Sequence, residues 1–129
     1  MPTRYMRAVI AAASFALAGG PAVAAQAANQ PNTTGLPLFA HTYMGTQYDA
    51  FQNPTDHHWY TSYTAVADRD SLATVEDWYR HQLPHAKETP YVDRGNRGIQ
   101  LTNGKDKVRI YKAGKNPGAV IMLYKYVRD

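Results

Sequence analysis

The sequence predicts an α+β domain: a single antiparallel β-sheet with one amphipathic helix packed on one face, in the order β-β-α-β-β-β-β. Three observations carry this. Only one stretch of the region after residue 38, Leu72 to Leu83, sets apolar residues at helical spacing, with Leu72, Val75, Trp78, Tyr79 and Leu83 on one face. The other apolar stretches are short, rich in Tyr, Thr, Val and Ile, and divided by turn residues. Between two of them stands Asn103-Gly104, a tight-hairpin signal. One helix and several short strands bury their apolar sides together when the helix lies across the sheet.

The chain begins with Arg4 and Arg7 and no acid, followed by an unbroken small and apolar run, Ala8 to Ala18, which Gly19-Gly20-Pro21 ends. That is the pattern of a secretory signal peptide, expected over residues 1–27 with cleavage after Ala24 or Ala27. The run is too short to cross a hydrocarbon core of about 30 Å, so no stable membrane span is expected after cleavage. The expected location is periplasmic or secreted. Residues 28–37 are polar, with Pro31, Gly35 and Pro37, and read as a flexible leader. Residues 38–129 form the expected single domain. Cysteine is absent, which removes disulfides and thiolate chemistry and leaves a packed core to hold the exported chain together.

Within the domain, Thr42 to Phe51 alternates loosely and is expected as the first strand, with a turn at Asn53-Pro54 and a second strand over His57 to Val66. Asp70 or Ser71 is placed to cap the helix, Glu76 and Asp77 are expected early in it near its positive end, and Pro84 ends it. Strands are then expected over Thr89 to Asp93, Ile99 to Thr102, Lys107 to Lys112 and Ala119 to Val127, with a turn at Gly95-Asn96-Arg97-Gly98 and a loop over Ala113 to Gly118. The last strand is the most apolar and reads as central; at an edge it would offer a homodimer pairing surface.

The quoted motifs have a family likeness. Leu36-Pro37-Leu38-Phe39 precedes the first strand, and Ser71, Val75, Trp78-Tyr79-Arg80 and Leu83 form a helix of the pattern Ser-x-x-x-Val-x-x-Trp-Tyr-Arg-x-x-Leu. With the hairpins that follow, this resembles small secreted or lipid-anchored bacterial α+β domains of unknown function, over roughly residues 36–127. The Pro-Gly-Ala expected after the first motif is replaced here by Ala40-His41-Thr42. The resemblance implies a fold and an exported location and supplies no catalytic residue.

Charge narrows the partners. Without Arg4 and Arg7, 12 basic side chains face 10 acidic ones, a net of +2. Residues 28–86 carry a net of −4 and residues 87–129 a net of +6. No basic stripe of the kind that tracks nucleic acid is present, and no nucleic-acid partner is expected. Ser62 lies mid-strand, Ser71 reads as a cap, and neither sits in a Gly-x-Ser-x-Gly turn. No phosphate loop or dinucleotide fingerprint occurs, so neither an enzyme nor a cofactor is expected.

Two constellations remain. On alternating strands, Lys107, Arg109 and Tyr111 share one face, as do Tyr124 and Tyr126 with Val120 and Met122. Such a Tyr/Arg/Lys surface is expected to bind a protein or a cell-envelope polymer, because these residue types are enriched at interfaces. Which face of the last strand meets the helix is open, since Ile121 and Leu123 are as apolar as their neighbours. The alternative is a periplasmic transition-metal protein using His41, His57, His58, His81 and His85. Against it, His57 and His58 would point to opposite faces of a strand, and Pro84 separates His81 from His85.

Overall fold

The computed structural model describes residues 29–114 and 118–129; the expected signal peptide lies outside them. The chain runs β1 (Tyr43–Gln52), β2 (Trp59–Ala67), α1 (Leu72–Gln82), β3 (Lys87–Asp93), β4 (Asn96–Asn103), β5 (Asp106–Lys112) and β6 (Ala119–Arg128). All six strands join one antiparallel sheet in the order β1-β2-β6-β5-β4-β3. The stretch β2-α1-β3 is a crossover from one side of the sheet to its far edge, and β6 returns to fill the place between β2 and β5. Among the described residues no helix is long and apolar enough to cross a membrane.

Local chemistry explains the elements. Ser71 is the helix N-cap, its hydroxyl accepting from the Thr74 N–H at 3.2 Å. Pro84 follows the C-cap, Leu83, whose N–H still donates to the Tyr79 carbonyl. The β3–β4 hairpin turns on Arg94 and Gly95, at φ 51° and 85°, as a type I′ turn requires. The β4–β5 hairpin turns on Gly104-Lys105, with Gly104 at φ 65° in the first central position.

α1 lays Val75 and Tyr79, both fully buried, against a layer formed by alternate strand residues. That layer includes Ala65 of β2, Ile121 and Leu123 of β6, Val108 and Ile110 of β5, and Ile99 and Leu101 of β4. It settles the face left open by the sequence: Ile121 and Leu123 meet the helix. The strap before β1 is fixed by the same helix, since the Tyr79 hydroxyl donates to the Pro37 carbonyl (3.0 Å) and accepts from the Phe39 N–H (3.1 Å).

Several expectations are corrected. His57 and His58 precede β2 rather than opening it, because Asn53 and Asp56 accept from the N–H groups of residues 55–58 and build a loop. The turn expected over residues 95–98 is shorter and earlier, and β4 pairs from Asn96 onward. Glu76 and Asp77 fall after the first helical turn, where Asp77 pairs with Arg80 at 2.7 Å rather than facing the free N–H groups. β6 is interior to the sheet, which closes the route to a homodimer through its edge. The polar segment before Leu38 is joined to the domain: the Gln30 N–H donates to the Gly45 carbonyl at 2.7 Å, the Tyr63 hydroxyl donates to the Gln30 carbonyl at 2.6 Å, and Thr34 is buried.

Candidate functional site

The sheet face turned away from α1 is built by strand alternation and register. On β5, Val108 and Ile110 point to the helix, so Lys107, Arg109 and Tyr111 point away. Their partners across β6 are Tyr124, Met122 and Val120. Tyr126 and Tyr124 in turn pair with Tyr60 and Ser62 of β2. On the other side Gln100 pairs with Arg109, and Gly98 stands between Tyr111 and Tyr91 of β3. All five residues expected to bind, Lys107, Arg109, Tyr111, Tyr124 and Tyr126, therefore lie on one face, and no element among the described residues covers it.

This face keeps water from its centre with aromatic rings instead of a helix. Tyr60 meets Tyr124 and Tyr126 with ring centroids 6.1 and 6.3 Å apart, and Phe51 closes on Tyr60 and Tyr124. Tyr60 is 1% exposed and Tyr124 8% as a result. Burial pushes the Tyr124 phenol up to about 12, with the nearby Arg109 pulling in the opposite direction. Tyr111 is also pushed up by burial.

Two cations hold different positions in this layer. Lys107 lies 5.2 Å from the Tyr60 ring centroid and donates to Asp56 Oδ2 at 2.8 Å. The same carboxylate accepts from the Tyr60 hydroxyl (2.6 Å) and, through Oδ1, from the His58 N–H (2.9 Å). Desolvation would raise the Asp56 carboxyl; the hydrogen bonds from Lys107, Tyr60 and His58 outweigh it and hold the group well below the usual carboxylate range. The β1–β2 loop is thereby fastened over one end of the face. Arg109 is held otherwise. Its guanidinium carbon lies 4.8 Å from the Tyr91 ring centroid and 4.9 Å from that of Tyr124, and its Nε donates to Gln100 Oε1 at 2.9 Å. Tyr111 and Tyr91 pack together at 5.7 Å, above the gap that Gly98 leaves.

Asp56, Tyr60, Tyr91 and Gln100 complete the site; none of them is among the residues that the sequence offers as binding groups. Strand alternation sets Tyr60, Ser62 and Thr64 on this face of β2, opposite Tyr126, Tyr124 and Met122. Asp56 and Tyr91 reach the site only through loop and strand register, which leave no local signal.

The histidines are placed apart. His41 pairs with Asp70 at 3.1 Å, and His58 with Asp129 at 3.4 Å while packing edge-on against Tyr126. His81 donates from Nδ1 to the Asp77 carbonyl at 2.8 Å. His57 and His85 are exposed in loops. Among the described residues, no group of three or more His, Cys, Asp or Glu side chains converges as a metal site would require.

No protein-family model, curated protein or solved structure matches this chain.

Proposed function

We propose that the protein is an exported, non-catalytic binding module that takes a protein or a cell-envelope polymer on the sheet face opposite α1. The observation that carries this reading is the convergence of Lys107, Arg109, Tyr111, Tyr124 and Tyr126 on the one face without a covering element among the described residues. Aromatic residues and arginine are the side chains that contribute most per residue at binding surfaces. The serines support a non-catalytic reading: Ser62 is buried within β2 and Ser71 is engaged at the helix cap. The expected signal sequence and the lack of cysteine fit an exported chain stabilised by its core.

The test is capture from a bacterial envelope fraction on immobilised protein, read by mass spectrometry of what survives a salt wash. The wild type is compared with the Arg109→Ala/Tyr111→Ala variant, whose fold is checked by thermal unfolding. A species kept by the wild type and lost by a folded variant is the expected result. Equal retention by both would remove this face as the binding surface.

A further inference from the structure

The Asn103-Gly104 pair that turns the chain from β4 into β5 carries a chemistry that the binding face does not use. An asparagine side-chain amide is attacked by the main-chain nitrogen of the next residue when three conditions meet. That nitrogen must carry a proton to lose, must be free of a hydrogen bond, and must not be crowded by a side chain. Each of the other asparagines fails one of them. Asn53 and Asn116 precede Pro54 and Pro117, which have no N–H. Asn29 precedes Gln30, whose N–H donates to the Gly45 carbonyl at 2.7 Å. Asn32 precedes Thr33, whose N–H donates to Gln47 Oε1 at 3.3 Å, and the Asn32 amide is itself engaged by Thr34 and Leu36. Asn96 precedes Arg97, a long side chain inside the β3–β4 ladder.

Asn103 meets all three conditions. It is the last residue of β4 and pairs with Asp106, so Gly104 and Lys105 alone form the turn. Asn103 and Gly104 are both exposed. Among the described residues no hydrogen bond engages the Gly104 N–H or the Asn103 side chain. Nothing lies within 4 Å of the point where a side chain on Gly104 would begin. Extended backbone holds the Asn103 Cγ and the Gly104 nitrogen apart, so ring closure requires Asn103 to turn about its backbone. Because Asn103 stands at the end of the ladder, that motion opens the Asn103–Asp106 pair and leaves the Thr102–Lys107 pair and those behind it in place.

We propose that Asn103 is a site of spontaneous covalent modification in the folded protein, deamidating through a succinimide closed with Gly104. The Gly104 nitrogen loses its proton to hydroxide and bonds to Cγ of Asn103. The Cγ–Nδ2 bond breaks, and the nitrogen takes a proton from water and leaves as ammonia. A second water then opens the succinimide at one of its two carbonyls. One opening gives aspartate; the other gives isoaspartate, whose main chain runs through the former side chain. No group is oxidised or reduced, and water is the only co-reactant. Both products alter the hairpin. Aspartate sets a like charge directly opposite Asp106. Isoaspartate lengthens the main chain by a methylene at the end of β4, in the strand pair that aligns Gln100 with Arg109.

The experiment is incubation of the purified, folded protein at neutral and mildly alkaline pH, followed by peptide mapping with mass spectrometry and fragmentation that separates isoaspartate from aspartate. Conversion at Asn103 ahead of every other asparagine is expected, faster at the higher pH, with isoaspartate among the products. Asn103→Gln, which would need a larger ring, is expected to leave that peptide unmodified. A second arm repeats the incubation in urea kept below the unfolding transition. Opening of one terminal pair exposes little surface, so the rate at Asn103 should stay nearly flat, whereas a route through global unfolding would accelerate steeply with urea. A rate that climbs with urea as global unfolding does would overturn the inference. So would an Asn103 that stays intact in the folded protein while it reacts in the urea-unfolded chain, or another asparagine that reacts first.

Discussion

Replacing Asp56 with asparagine removes a negative charge that three donors share. Oδ2 accepts from Lys107 and the Tyr60 hydroxyl and Oδ1 from the His58 N–H, at 2.8, 2.6 and 2.9 Å. A hydrogen bond to a charged group contributes about 1.5–3 kcal/mol net when it is well sheltered. Water reaches the pair, with Asp56 26% and Lys107 20% exposed. An amide also retains one acceptor. The expected loss is therefore about 2–3 kcal/mol, well short of the sum over three bonds. The sign of the pH dependence follows from the lowered pKa. A carboxylate that is more acidic in the folded than in the unfolded chain adds stability above its unfolded value, about 4. That contribution is complete at neutral pH and declines as pH falls from about 4 through the folded value. Urea unfolding of wild type and Asp56→Asn at several pH values measures it: the gap is expected to be constant above pH about 5 and to narrow below about 4. A double-mutant cycle with Lys107→Met should return a coupling of about 1–2 kcal/mol. A gap under about 0.5 kcal/mol at neutral pH, or one equally large in acid, would refute the view that this carboxylate fastens the β1–β2 loop.

Two further predictions concern parts that hold the site in place. Tyr79→Phe keeps the buried ring but leaves the Phe39 N–H and the Pro37 carbonyl without a partner, and should cost about 2 kcal/mol in denaturant unfolding; a neutral result would mean that water replaces the phenol. Gly98→Ala places a methyl against the Ile110 carbonyl oxygen and the Tyr111 backbone, should push β4 from β5 at a cost of about 1–3 kcal/mol, and should disturb Tyr91 and Tyr111 packing in the near-ultraviolet circular dichroism; an unchanged spectrum would show the strands able to give way.

The legible parts of this fold are those decided within a few residues. Helical spacing, the Ser71 cap and the Pro84 stop mark α1 from the sequence because each acts inside one or two turns. Alternation along β5 separates Lys107, Arg109 and Tyr111 from Val108 and Ile110 for the same reason. The β3–β4 turn falls earlier than the glycines of residues 95–98 suggest, because Arg94 adopts a positive φ that nothing in an arginine announces. The face of β6 that meets the helix was undecidable locally, since both alternate sets are apolar. The pairing of β6 with β2 and β5, over long sequence separation, decides it. The Asp56–Lys107 pair spans 51 residues, and only that register brings its members together.

Lys107 and Arg109 show how one strand can hold two cations in different ways. They are two residues apart and point to the same face, and both lie against tyrosine rings. Lys107 meets an acid delivered by the β1–β2 loop, and the resulting ion pair seals the end of the sheet near Tyr60. Among the described residues no carboxylate forms an ion pair with Arg109, whose guanidinium lies against the rings of Tyr91 and Tyr124 and donates to the amide oxygen of Gln100. Neutral support orients a guanidinium without neutralising it, in a setting where water screens the charge less than at an open surface. An acid introduced opposite it, by Gln100→Glu, would complete the ion pair internally. The fold should gain stability, by about 0.5–1 kcal/mol for a part-exposed pair. Urea unfolding of the wild type and Gln100→Glu measures this, and an unchanged or lower stability would show that the charge on Arg109 is already met by its present neighbours.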